Sequence, residues 1–218
     1  MHERFVEPFI EHQGEGRVFW LRKPRPAGRR FLLARAGTPA ADGPAGDRIV
    51  IVLGVKRAFG TGGHGTTEGC LVALEERIRG GETVLDAGTG TGILAIAAAK
   101  IGARRVTAVD ISRAACDETR TNVGRNGVGE AVEVIEGGVE AVAGRFDLVV
   151  ANLRTPILVE IMPDLVAKAE PAGSAILSGI LERELCPFLS LLRRYPLEVV
   201  DTKTIGGWVT LTSRRTCS

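Results

Sequence analysis

The stretch VLDAGTGTGILA, residues 84–95, decides the architecture of this chain. It is apolar up to Asp86 and reads as a strand, turns tightly through Gly88, Gly90 and Gly92, and reopens at Ile93 as an apolar helical run. Strand, glycine turn and helix in that order bring bare backbone and a helix N-terminus to the carboxyl edge of a sheet, where open α/β folds bind ligands.

Outward from this unit, apolar runs alternate with helical patterns. Strands are expected at 83–86, 105–110, 132–136, 146–151 and 175–178, with helices at 93–100, 113–123, 156–169 and 182–194. That alternation predicts an α/β fold, a mostly parallel Rossmann-like sheet with helices on both faces. Two β-rich runs, 197–203 and 208–213, are too close for a crossover helix and predict a C-terminal antiparallel hairpin. Upstream come an apolar run at 49–53, a second glycine loop and a helix over about 66–79. The stretch AGTPAADGPAGD, 36–47, reads as a connector, so residues 1–47 are expected to be a small β-rich appendage with its linker and 48–218 the main domain.

Composition bounds the rest. With 218 residues, 44% of them hydrophobic, the chain can bury one substantial core. No apolar run is long enough to span a membrane and the start lacks a signal-peptide pattern, so a cytoplasmic location is expected. Cys70, Cys116, Cys186 and Cys217 show no CxxC spacing and are expected to be reduced thiols rather than disulfides or zinc ligands; no metal site is expected. The first 58 residues carry eleven Lys and Arg against six Asp and Glu, concentrated in LRKPRPAGRR. The charges from Arg22 to Arg30 could meet RNA or an acidic surface, or form a solvated loop stiffened by Pro24 and Pro26.

The glycines of 84–95 fit a dinucleotide site as well as an adenosyl one, and the neighbouring acid separates them. A pyrophosphate would be repelled by Asp86 at the mouth of the turn, whereas the ammonium and sulfonium of S-adenosylmethionine would be stabilised by it. Asp110 ends the next strand, where a carboxylate accepts hydrogen bonds from ribose hydroxyls. Both acids could otherwise serve as caps. The upstream loop, FGTGGHGTTEG at 59–69, resembles a phosphate-cradling loop with Thr66 in place of its lysine, so a triphosphate is not expected. Folded over the same cofactor, it would offer the hydroxyls of Thr66 or Thr67 to the cofactor's carboxylate.

FGTGGHGTT, VLDAGTGTGILAIAAAKIGA, AVDIS, a helix ending RNGV, FDLVVANL, AILSGILE and a closing GGWVTL together resemble the PrmA family, which methylates a ribosomal protein of the large subunit. The resemblance runs from about residue 49 to the C-terminus and implies a seven-stranded methyltransferase sheet with one reversed strand. It implies S-adenosylmethionine as cofactor, S-adenosylhomocysteine as product, and cofactor contacts at Thr67, Gly88, Asp110 and Asn152, with Gly90, Gly92 and Ile111 beside them. A protein amine is the implied acceptor. The family places a substrate-recruiting domain before the first loop, where this sequence has 58 residues, and follows its asparagine with a small apolar set, where this sequence has Leu153, Arg154 and Thr155. These departures motivate an alternative acceptor, a small molecule bearing a carboxylate or phosphate.

Displacement at a sulfonium needs alignment and exclusion of water more than a strong base. Asn152 and the backbone around Leu153 are expected to orient the lone pair of a neutral amine. His64 is the nearby group able to move a proton near neutrality, or it caps its loop. Trp208 lines the acceptor site or packs in the core.

Overall fold

The computed structural model describes residues 9–12, 17–20, 24–38, 46–54 and 62–216. Arg22 of the basic run, Gly60 and Thr61 of the upstream loop, and Cys217 lie outside the described residues. Cys70, Cys116 and Cys186 are free thiols.

Strands β1 (Phe9–His12) and β2 (Arg17–Trp20) pair antiparallel. A three-stranded sheet follows, in which β3 (Arg25–Ala27) runs antiparallel to β4 (Phe31–Arg35) and β4 runs parallel to β5 (Ile49–Leu53). This parallel pairing joins segments from either side of the expected connector. Phe31, Leu33 and Ile51 are fully buried in one cluster with Leu71, Leu74 and Ile96. Each such side chain contributes about 1.5–3 kcal/mol by leaving water, which ties this sheet to the main core.

The main domain runs α1 (Gly65–Arg77), β6 (Thr83–Ala87), α2 (Ile93–Lys100), β7 (Arg105–Asp110), α3 (Arg113–Arg125), β8 (Val132–Glu136), β9 (Phe146–Asn152), α4 (Thr155–Lys168), β10 (Ala169–Leu181), α5 (Leu185–Leu192), β11 (Leu197–Ile205) and β12 (Trp208–Arg215). The seven-stranded sheet has the order β11-β12-β10-β9-β6-β7-β8. Only β12 is reversed: it pairs antiparallel with β10 and β11, while the pairings among β10, β9, β6, β7 and β8 are parallel. The expected hairpin closes through Gly206 and Gly207, both at positive φ (59° and 78°), which lets the turn follow the strands' twist.

Strand alternation divides the core between the two faces. Val84, Val106, Leu148, Val150 and Ile176 pack with α1, α2 and the three-stranded sheet, while Leu85, Val109, Val149, Ala151 and Leu177 pack with α4 and α5. Helix α2, ILAIAAAK, buries every residue from Ile93 to Ala98, because it lies between the main sheet and the smaller one. Asn126, at the end of α3, treats Val52 as a strand partner would: its Nδ2 donates to the Val52 carbonyl (2.7 Å) and its Oδ1 accepts from the Val52 N–H (2.9 Å).

Two elements depart from expectation. Strand β10 begins six residues earlier than the 175–178 run, carrying an irregular register between Ala169 and Ser174. The helix expected at 182–194 divides into a 3-10 turn, Glu182–Glu184, and α5.

Candidate active site

Three loops meet at the carboxyl edge of the parallel strands. The turn after β6 is held open by glycine: Gly88, Gly90 and Gly92 have φ of 71°, 58° and 81°. A Cβ on Gly88 would run into the Leu153 side chain, so the loop after β9 can approach only bare backbone. Gly179, at φ 93°, plays the same part in β10, where a Cβ would strike the Leu153 backbone. Leu153 N–H in turn donates to the Ser178 carbonyl (3.0 Å), fixing the end of β9.

Asp110 organises the other side. Its Oδ2 accepts from the Gly90 N–H (3.0 Å) and its Oδ1 from the Ser112 N–H (2.9 Å), leaving each oxygen a further lone pair. Thr119 Oγ1 donates to the Gly90 carbonyl (2.9 Å). Asn122 is fully buried and bridges two segments: its Nδ2 donates to the Thr91 carbonyl (2.9 Å), while its Oδ1 accepts from the Gly54 N–H (2.9 Å). The segment leaving β5 and the turn after β6 therefore share one anchor.

His64 caps α1, its ring accepting from the Thr66 N–H, with Nδ1 also 2.9 Å from Thr66 Oγ1. Partial burial lowers its pKa, which favours the neutral imidazole. It meets Trp208 edge-on at a ring-centroid distance of 4.8 Å.

These parts enclose a cavity of about 520 Å³, within the range of small-molecule sites. Of the residues singled out in the sequence, His64, Thr66, Gly88, Gly90, Asp110, Asn152 and Leu153 line it. So do Arg154 and Trp208, together with Ser112, Ala114, Ala115, Ile157 and Gly179, which sequence reasoning missed. Gly179 had left a signal, a glycine inside an apolar strand run.

The other four sit elsewhere. Asp86, expected at the mouth of the turn, lies behind it: it is 1% exposed, and its Oδ2 accepts from Thr89 Oγ1 (2.7 Å) and the Ala95 N–H (3.1 Å). It ties the turn to the first helical residues of α2 and does not line the cavity. Burial pushes its pKa up to about 6, against the opposing effect of those two hydrogen bonds, and the charge of Asp110 adds to the rise. Thr67 points inward, fully buried, and its Oγ1 has no hydrogen-bond partner among the described residues. Gly92 is the N-cap of α2, packed against Thr119. Ile111 is 82% exposed, between the cavity-lining Asp110 and Ser112. Part of the N-terminal basic run is also committed: Arg25 pairs with Glu68 and donates to the Gly63 carbonyl (3.0 Å), while the backbones of Arg29 and Arg30 donate to Glu75.

Among the described residues no group of three or more His, Cys, Asp or Glu could hold a metal ion, and no helix is long and apolar enough to cross a membrane.

Comparison with known proteins accords with this geometry. Residues 20–216 match the family described as ribosomal protein L11 methyltransferase (PrmA). A ribosomal protein L11 methyltransferase of Pelotomaculum thermopropionicum is 42% identical over 193 residues, covering 88% of this chain and 62% of that protein. One from Exiguobacterium sp. is 39% identical over 173 residues, covering 79% and 55% respectively. The chain thus spans about three-fifths of the length of the curated relatives it matches. A solved ribosomal protein L11 methylase from Lactobacillus delbrueckii subsp. bulgaricus is 30% identical, with a TM-score of 0.83 over 89% of this chain and 99% of the other. The fold alone is shared with a tRNA m1G37 methyltransferase of M. jannaschii, at 17% identity and a TM-score of 0.61. On the match over residues 20–216 and these relatives, the chain belongs to the PrmA family of ribosomal protein L11 methyltransferases.

Proposed function

We propose that the protein is an S-adenosylmethionine-dependent methyltransferase whose acceptor is an amine of a protein substrate of the ribosomal L11 type. The observation that carries this reading is Asp110: a carboxylate on the cavity wall, oriented by two backbone N–H groups beside the bare backbone of Gly88 and Gly90. That donor and acceptor set fits an adenosyl ligand, with Asp110 receiving ribose hydroxyls and the exposed Ile111 available to cover the adenine. Thr66 contributes a hydroxyl on the wall of the cavity. Thr67 is the position that the family resemblance assigns to the cofactor; its unpartnered hydroxyl would need to turn from the interior to reach it.

When bound, S-adenosylmethionine supplies an electrophilic methyl group on a sulfonium. The chain's own residues align the nucleophile. Asn152 and the Leu153 carbonyl would receive the N–H groups of a neutral amine and direct its lone pair, in a position fixed by the Leu153 bond to Ser178. His64 and Trp208 wall the site and exclude water. With its Nδ1 engaged by Thr66, His64 serves as a positioning cap rather than a proton shuttle.

The test combines calorimetry of S-adenosylhomocysteine binding with transfer of label from S-adenosylmethionine to purified ribosomal protein L11. Binding together with labelled L11 supports the reading. Label found only in small molecules of a host extract replaces the protein acceptor by a metabolite, and tight binding of a reduced dinucleotide with no binding of S-adenosylhomocysteine refutes the cofactor.

A further inference from the structure

The sheet order places the cavity's two charged residues on opposite sides of Gly88. Asp110 lies on the β7 side, while Arg154 lies on the side of β9 and α4 with Asn152, Leu153, Gly179 and Trp208. Among the described residues lining the cavity, Arg154 is the sole lysine or arginine. It immediately follows the Asn152–Leu153 pair and precedes the first turn of α4, its backbone extended (φ −61°, ψ 146°) and its side chain exposed.

Its guanidinium makes no hydrogen bond or ion pair with any described residue. The adjacent acid is already engaged: Glu184 Oε2 accepts from Thr155 Oγ1 (2.7 Å) and the Leu181 N–H (3.2 Å), bonds that hold its pKa below the usual range. Arg154 is thus a positive charge on the acceptor side of the site, without a counter-ion among the described residues.

A lone cation there has two effects on an amine acceptor. It disfavours the ammonium form, which cannot attack, and it attracts an anion carried alongside the amine. One guanidinium matches one carboxylate, in charge and in its two-pronged geometry; a phosphate dianion would retain an uncompensated charge in a cavity that already holds Asp110.

We propose that Arg154 sets acceptor specificity by binding a carboxylate that the substrate carries near the amine to be methylated. This rests on the methyltransferase reading above. The carboxylate could belong to an acidic side chain flanking the target amine in a polypeptide, or to a free amino acid.

The experiment uses two matched pairs of probes: a capped peptide with lysine between two glutamates against one with lysine between two glutamines, and free lysine against lysinamide. Each is assayed for methyl transfer and titrated into the S-adenosylhomocysteine complex, following Trp208 fluorescence after Trp20→Phe removes the other tryptophan. The wild-type protein should prefer the carboxylate-bearing member of at least one pair by about 10- to 100-fold, and the pair showing it identifies the source. Arg154→Gln should bring that ratio to about one and Arg154→Glu should invert it, with S-adenosylhomocysteine affinity unchanged in both. Equal preference in wild type and Arg154→Gln, no preference in wild type, or cofactor affinity falling with the arginine would overturn the proposal. Failure of the wild-type protein to bind S-adenosylhomocysteine at all would instead overturn the methyltransferase reading beneath it.

Discussion

Asp86→Asn isolates the cost of keeping a charge behind the glycine turn after β6. The carboxyl group titrates near 6 in the folded protein, against an ordinary value of 3.8, chiefly because it is buried. Below pH 3.8 it is protonated in both states and costs nothing. Between about 4 and 6 the folded state holds a proton that the unfolded chain has released, so stability falls as pH rises through this window. The shift of about two pH units corresponds to roughly 3 kcal/mol at 1.36 kcal/mol per unit, all of it lost by pH 7. Asparagine keeps an oxygen to accept from Thr89 and Ala95 but never ionises, although its amide N–H groups cost about 1–3 kcal/mol if left without partners. Asp147 and Asp201 have lowered pKa values and lose stability as pH falls, but they do so equally in both proteins. The difference between the two denaturation free energies, measured in urea by circular dichroism from pH 4 to 8, should therefore rise in favour of the variant by roughly 3 kcal/mol up to pH 6–7 and then level. A flat difference curve would refute the reasoning, because it would mean that folding leaves the pKa of Asp86 where it stands in the unfolded chain.

Asp110→Ala removes the acceptor shared by Gly90 and Ser112, and S-adenosylhomocysteine affinity measured by calorimetry should fall about 10- to 100-fold. Gly179→Ala places a Cβ against the Leu153 backbone at φ 93°; it should lower stability by about 1–3 kcal/mol and depress methyl transfer more than cofactor binding. Asn122→Ala removes the side chain that joins the Gly54 N–H to the Thr91 carbonyl. Its melting temperature should drop by about 4–8 °C for a loss near 2 kcal/mol, and hydrogen exchange at Gly54 should accelerate.

Much of the sheet was legible because short apolar runs and helical patterns alternate after Thr83; strands β7 and β8 fall on the residues expected. Strand β10 ran longer than expected because Pro171 and Gly173 read as loop residues, whereas the structure absorbs them in an irregular stretch with Ala172 at φ 63°. The parallel pairing of β4 with β5 was invisible, since nothing local specifies which distant strand a run will join. Of the candidate site residues, spacing singled out Asp110 and the family resemblance Asn152, and both strands end at the cavity. Asp86 was misplaced because a strand residue faces one side or the other of its turn, and only packing decides which. Thr66 and Thr67 posed the same problem in a helix, where a step of about 100° sends one hydroxyl to the cavity and its neighbour to the interior.

Strand β5 lies at the rim of its sheet, and such a rim is a template on which a foreign chain can add a strand and seed aggregates. Through its bonds to both polar groups of Val52, the single side-chain amide of Asn126 occupies the place a stray strand would take. The helix that supports the turn after β6 thereby also covers part of the open edge of the smaller sheet.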